Sequence, residues 1–284
     1  MVVLLSWSAC AWGQQPAVSW QQHLVAGQRA LHAGDAAAAL QEFVVALEKV
    51  DRAESARPED KALIRFYAGI AHFHLGAHRQ SEVFHRAALA ILDAAISPDA
   101  DALAAVTHQL ASALQNQGNY REAEIFHRRS LTIIEKDPGT DPVTLARALN
   151  NLASALVEIE RSEEAQQLLE RAQSMLSLPH RRPDPQLAEV IKVNLAESFR
   201  QQGRLSAAEP LYRATLERLA AADENDIFAA NVRLGLALVL IARGSLAEGQ
   251  NLYEKGLAVY ERRLGQDHPI VKRYRDEHAR LQRK

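Results

Sequence analysis

Small, large apolar and polar side chains recur along this chain in a long, steady frame. Six stretches superimpose: GDAAAALQEFVVAL from Gly34, GAHRQSEVFHRAAL from Gly76, GNYREAEIFHRRSL from Gly118, ERSEEAQQLLERAQ from Glu160, GRLSAAEPLYRATL from Gly203 and GSLAEGQNLYEKGL from Gly244. Their anchors lie 42, 42, 42, 43 and 41 residues apart. Five residues after the anchor stand Ala39, Ser81, Ala123, Ala165, Ala208 and Gly249, and twelve after it Ala46, Ala88, Ser130, Ala172, Thr215 and Gly256. Nothing larger than threonine occupies either place, as close helix packing demands. Nine after the anchor come Phe43, His85, His127, Leu169, Tyr212 and Tyr253, mostly larger. Small and large positions at this spacing make one interlocking helical face.

A second helix precedes each anchor and stops at the turn residue. Its packing positions, eight and seven residues earlier, are Ala26-Gly27, Ala68-Gly69, Leu110-Ala111, Leu152-Ala153, Leu195-Ala196 and Leu236-Ala237. Each unit is therefore expected to be helix A, a short turn and helix B. The units span about 20–57, 58–99, 100–141, 142–184, 185–225 and 226–268, and a capping helix covers 269–284. One helix pair cannot bury its own apolar face, so neighbours must stack.

Composition agrees with a helical reading: the chain has 50 Ala and 37 Leu in 284 residues, but only 13 Gly and 10 Pro. It is too apolar for a disordered protein and too poor in Gly and Pro for a fibrous one. A net charge of −2 gives no general attraction to nucleic acid or to an anionic membrane.

The first thirteen residues, MVVLLSWSACAWG, read as an export signal, with Ala11 and Gly13 three and one before a cut at Gln14. No Lys or Arg precedes the apolar run, and the stretch is too short to span a bilayer as a helix. A buried N-terminal helix is the alternative; a lipoprotein reading would acylate Cys10, although Trp7 fits poorly before it. Residues 14–19 form a linker. The expected product is exported, periplasmic or secreted, and without cysteine; if the segment is retained, the protein is cytoplasmic.

The frame resembles the tetratricopeptide repeat (TPR), and its 42-residue period, longer than the common one of about 34, resembles the kinesin-light-chain type. The loops from Pro138 to Val143 and from Leu264 to Pro269, the LNNLA run from Leu149 and the QNQGNYREAE run from Gln115 carry the likeness. Repeats one, two and six depart from the motif most. The resemblance implies an all-α, right-handed solenoid of about six helix pairs plus a C-terminal capping helix, with helix A lining the concave side.

Nine residues before the anchors stand Val25, Tyr67, Gln109, Asn151, Asn194 and Gly235. Three successive repeats thus carry a primary amide in register, and an amide has both the donor and the acceptor that clamp a peptide backbone. In the resembled group Asn at this place lines a peptide groove; Asn151 and Asn194 match it, and Gln109 only approximately. His108, Asn150, Arg147, Ser112, Ser154, Glu197, Arg200 and Asn116 are the neighbouring candidates. The competing reading is that Asn151 and Asn194 only join neighbouring helices or bind water. Leu24, Phe66, Tyr67, Ile70 and Phe73 in repeats one and two read as core or inter-repeat packing, with an apolar pocket as the alternative.

Catalytic chemistry finds little support. There is no HExxH, no GxSxG, no phosphate-binding glycine loop and no thiol beyond Cys10. His85 and His127 share the slot that elsewhere holds tyrosine, so a metal reading is weak. The basic residues Lys272, Arg273, Arg275, Arg280, Arg283 and Lys284 read as a solvating cap, less readily as a dock for an acidic partner. The expectation is a non-catalytic scaffold that needs no cofactor or metal and binds a protein or peptide, not nucleic acid. The alternative is a structural assembly subunit of an envelope or secretion complex acting through its convex face or edges, self-association included, with which the apolar run from Leu234 to Ile241 is compatible.

Overall fold

The structure, a computed structural model, describes residues 19–177, 184–219, 223 and 225–281. The signal-like segment with Cys10, linker residues 14–18, and Arg283 and Lys284 of the expected cap lie outside the described residues. Among them are thirteen α-helices and no strand. They are α1 (Ser19–His32), α2 (Ala36–Arg52), α3 (Pro58–His74), α4 (His78–Asp93), α5 (Ala100–Asn116) and α6 (Tyr120–Lys136). Then follow α7 (Pro142–Glu158), α8 (Ser162–Leu176), α9 (Pro185–Gln201), α10 (Leu205–Arg218), α11 (Ile227–Ala242), α12 (Leu246–Leu264) and α13 (Pro269–Leu281).

The helices form two compact units, one ending at Asp141 and one beginning at Pro142. Each unit is a short all-α solenoid. In the first, the pairs α1/α2, α3/α4 and α5/α6 stack in order, with α3 beside both α1 and α5. In the second, α7/α8, α9/α10 and α11/α12 stack likewise, α9 lies beside α7 and α11, and α13 closes against α12. The first helices of successive pairs therefore share one face within each unit.

The anchors explain the turns. Gly34, Gly76, Gly118, Gly203 and Gly244 all have φ between 73° and 90°, a left-handed conformation that ends the helix. After α5 the amide of Asn119 donates to the Leu114 carbonyl at 2.9 Å, while that of Gly118 reaches Gln115. The same pattern follows α7, where Arg161 N donates to Leu156 O at 2.9 Å. There the left-handed residue is Glu160, with φ 64°. A side chain costs ~1 kcal/mol or more in this conformation, so Glu160→Gly is expected to stabilise the second unit by ~1 kcal/mol. Urea unfolding monitored by circular dichroism checks this; a lower midpoint would contradict it. Asp35, Asp99, Asp184 and Asp226 cap the starts of α2, α5, α9 and α11 through their carboxylates.

Small and large positions interlock as the frame demands. Ala39, Ala123, Ala165 and Ala208 are completely buried, and each residue of the large slot is at most 3% exposed. A Cβ on Gly27 would lie 2.4 Å from the Phe43 ring, and one on Gly69 2.5 Å from the His85 ring. Tyr212 instead lies over Gly235 of the following pair, where a Cβ would come within 2.6 Å. Leu24, Phe66, Tyr67 and Ile70 are buried and join the core of the first unit, while Phe73 is half-buried, its ring against His74 and His78. Of the apolar α11 run, Leu234, Leu236, Val239 and Leu240 are spent inside the second unit.

Candidate functional site

The richest polar face of the second unit is built where α7 and α9 lie side by side. Arg147 of α7 donates to the Asp184 carboxylate at 2.9 Å, and Asp184 also caps α9 through Leu187 N at 2.9 Å. About two turns along α9, Asn194 Nδ2 donates to Asn150 Oδ1 at 2.9 Å. Further toward the turn, Ser198 Oγ donates to the Ser162 carbonyl at 2.6 Å, and Gln202 reaches that carbonyl and Gln166 Oε1. Asn151 and Ser154 are half-buried on the same helix as Asn150.

Asn150 departs from its expected place on an open groove. It is only 5% exposed and accepts the Asn194 amide. One residue along a helix turns the side chain by about 100°, so Asn150, which points toward the neighbouring helix, and Asn151 leave α7 in different directions. The helix-joining alternative is thus visible in the Asn150–Asn194 pair, a bond that orients the Asn194 amide.

Glu197 and Arg200 are brought together with a tyrosine that the polar pattern did not single out. Arg200 Nε donates to Glu197 Oε2 at 2.8 Å, its second nitrogen binds the other carboxylate oxygen, and Tyr212 Oη donates to Oε2 at 2.8 Å. The hydrogen bonds to Glu197 drive the Arg200 pKa upward, against the opposing effect of burial. Burial and the adjacent carboxylate push the Tyr212 phenol well above its ordinary value. Lys192 and Arg218 are likewise held by Glu189, which also accepts from Thr215 at 2.9 Å. The signal for Tyr212 was in the frame: it fills the large slot of its repeat.

The remaining candidates belong to α5 of the first unit. Ser112 Oγ donates to the His108 carbonyl at 3.0 Å, and Asn116 Nδ2 to the Ser112 carbonyl at 2.9 Å, so both fold back on their own helix. The His108 ring lies 5.7 Å from that of His127. Gln109 is half-buried on the same helix.

A recurring clasp went unread in the sequence. The residue just before one anchor reaches the sixth residue after the preceding anchor: Gln117 to Glu82 at 2.8 Å, Gln202 to Gln166 at 3.1 Å, and Arg243 to Glu209. A second clasp joins Arg86 to Glu122 and Arg213 to Glu248 on the helix B side. Among the described residues no group of three His, Cys, Asp or Glu is placed to hold a metal, and no helix is long and apolar enough to cross a membrane.

Family models described as tetratricopeptide repeat match residues 102–177, 193–227 and 230–270, together more than half of the chain. The chain is a tetratricopeptide-repeat protein. No curated protein matches it in sequence. Its fold is similar to the apo form of RapI, with 14% identity, a TM-score of 0.66 and coverage of 93% of this chain and 98% of RapI. A putative kinesin light chain from Podosopora anserina, with nearly identical TPR-like repeats, gives 19% identity and a TM-score of 0.54 over 70% of this chain and 93% of its own. The Rap conjugation gene regulator of plasmid pLS20, solved in complex with the Phr* peptide, gives 14% identity and a TM-score of 0.58 over 94% of this TPR protein and 80% of the regulator.

Proposed function

We propose that this TPR protein is an exported, non-catalytic scaffold that holds an extended peptide or protein segment on its helix A faces. The observation that carries this reading is the α7–α9 face, where an oriented Asn194 amide stands among charges that are already paired. Arg147 with Asp184, Lys192 with Glu189 and Arg200 with Glu197 leave little net charge there. Amides and hydroxyls are then the groups that read a ligand, and they suit a peptide backbone better than a charged side chain. The Phr* peptide complex of the pLS20 regulator supports a peptide as the class of partner.

The test starts from a peptide selected on the full chain from a random library and measured by titration calorimetry. The variant Gln109→Ala/Asn151→Ala/Asn194→Ala is expected to lose about 1 kcal/mol per amide that contacts the ligand. With each groove charge paired, affinity is expected to change by less than about threefold between low and high salt. Unchanged affinity in a triple variant with an unchanged melting temperature would defeat the groove reading. A steep salt dependence would move recognition to a charged surface instead.

A further inference from the structure

The large slot of each repeat is filled differently in the two units. In the second it holds Leu169, Tyr212 and Tyr253, and both phenols are paired, Tyr212 with Glu197 and Tyr253 with Glu277, each at 2.8 Å. In the first it holds Phe43, His85 and His127, and eight of the eleven histidines of the chain fall within residues 1–141. His85 is fully buried and neither ring nitrogen has a hydrogen-bond partner. Its ring abuts Gly69 and lies 5.8 Å from that of Phe66. His127 is 3% exposed, and its Nε2 pairs with Gln115 Oε1 at 3.3 Å. A neutral imidazole tolerates such a site; a cation there would have no countercharge.

The surrounding groups offer no relief. On α3 the Tyr67 phenol is pushed up by burial, and His72 is stacked on Phe84 with a buried, unpartnered Nδ1. On α5, His108 acts on both His85 and His127 and disfavours a charge on either. On α4 itself Glu82 is bound to Arg86 and Gln117, and on α6 Glu122 holds Arg86 while Glu124 holds Arg128. No described carboxylate bonds to either buried imidazole.

We propose that the first unit is a proton-triggered element: uptake of protons by His85 and His127 opens the packing of α3 to α6 while α7 to α13 stays closed. Any surface that α3 to α6 present to a partner would then exist at neutral pH and be lost in acid. Burial, with His108 adding to it, holds both imidazoles at about 3 in the folded protein, against 6.5 when exposed. The opened chain therefore binds protons that the closed one refuses. Stability is complete above 6.5 and falls as the pH drops toward 3, with the opening constant rising about tenfold per pH unit for each histidine.

Hydrogen exchange resolved by mass spectrometry on the full chain, at pH 6.5 and pH 5 and corrected for intrinsic rates, tests this directly. Protection across α3 to α6 is expected to fall by about two to three orders of magnitude, and across α7 to α13 by less than about tenfold. The variant His85→Phe/His127→Phe should remove most of that difference. An equal fall in both units, no fall in the first, or an undiminished fall in the variant would overturn the proposal. Should the variant not fold, the contrast between the two units of the unaltered protein still decides.

Discussion

Gly235→Val is expected to destabilise the second unit by about 3 kcal/mol, the upper range for overpacking a full core. The added Cβ would lie 2.6 Å from Tyr212 Cζ and 2.8 Å from its hydroxyl. Tyr212 cannot step aside, because its ring is 1% exposed and its hydroxyl is fastened to Glu197. Urea unfolding of the variant gives the loss. A second measurement isolates the cause: Tyr212→Leu, which puts in that slot the residue found at Leu169, should recover part of the loss in the Gly235→Val background. A loss below ~1 kcal/mol, or no recovery, would mean that the helices separate easily and that the slot does not set their approach.

His85→Phe is the opposite case, a core substitution expected to stabilise. Burying polar nitrogens without partners costs ~1–3 kcal/mol, and phenylalanine removes them. The precedent for the fit is in the preceding repeat, where Phe43 packs over Gly27 as His85 packs over Gly69. The gain should also depend on pH. His85 is held at about 3 when folded against 6.5 when exposed, so its neutral form contributes stability above 6.5 that is lost progressively below it. The advantage of the phenylalanine variant should therefore widen by about 1.4 kcal/mol for each pH unit between 6.5 and 3. Thermal unfolding at pH 7 and pH 5 measures both parts. A destabilised variant at pH 7, or a gain that does not widen in acid, would show that the imidazole is better accommodated than the packing indicates.

Much of the architecture was legible because a repeat writes its packing rules several times. Alanine at positions 39, 123, 165 and 208 announced the close approaches that are completely buried in the structure. Glycine at 34, 76, 118, 203 and 244 announced the left-handed turns, and register alone pointed to Glu160 as their sixth member, which has φ 64°. The candidate site was less legible. Register proposed Asn151 and Asn194, but whether an amide faces solvent or a neighbouring helix depends on rotation about the helix axis. A one-residue difference separates Asn150 from Asn151, and only packing showed Asn150 buried beneath Asn194. The clasps from Gln117 to Glu82 and from Gln202 to Gln166 join residues 35 and 36 apart, too far for any local pattern to pair them.

By itself, then, the spacing of small, large and turn residues determined that this chain folds as stacked helix pairs, because helix periodicity and glycine's backbone freedom are local properties. The tertiary structure decided how each polar and titratable side chain is used. It paired the charges along α7 and α9, set Tyr212 over a glycine of the next repeat, and enclosed two imidazoles in the first unit while the second received bonded phenols. Those outcomes depend on which groups surround a side chain once distant helices meet, and that environment sets the cost of burying a charge or leaving a hydrogen bond unmade.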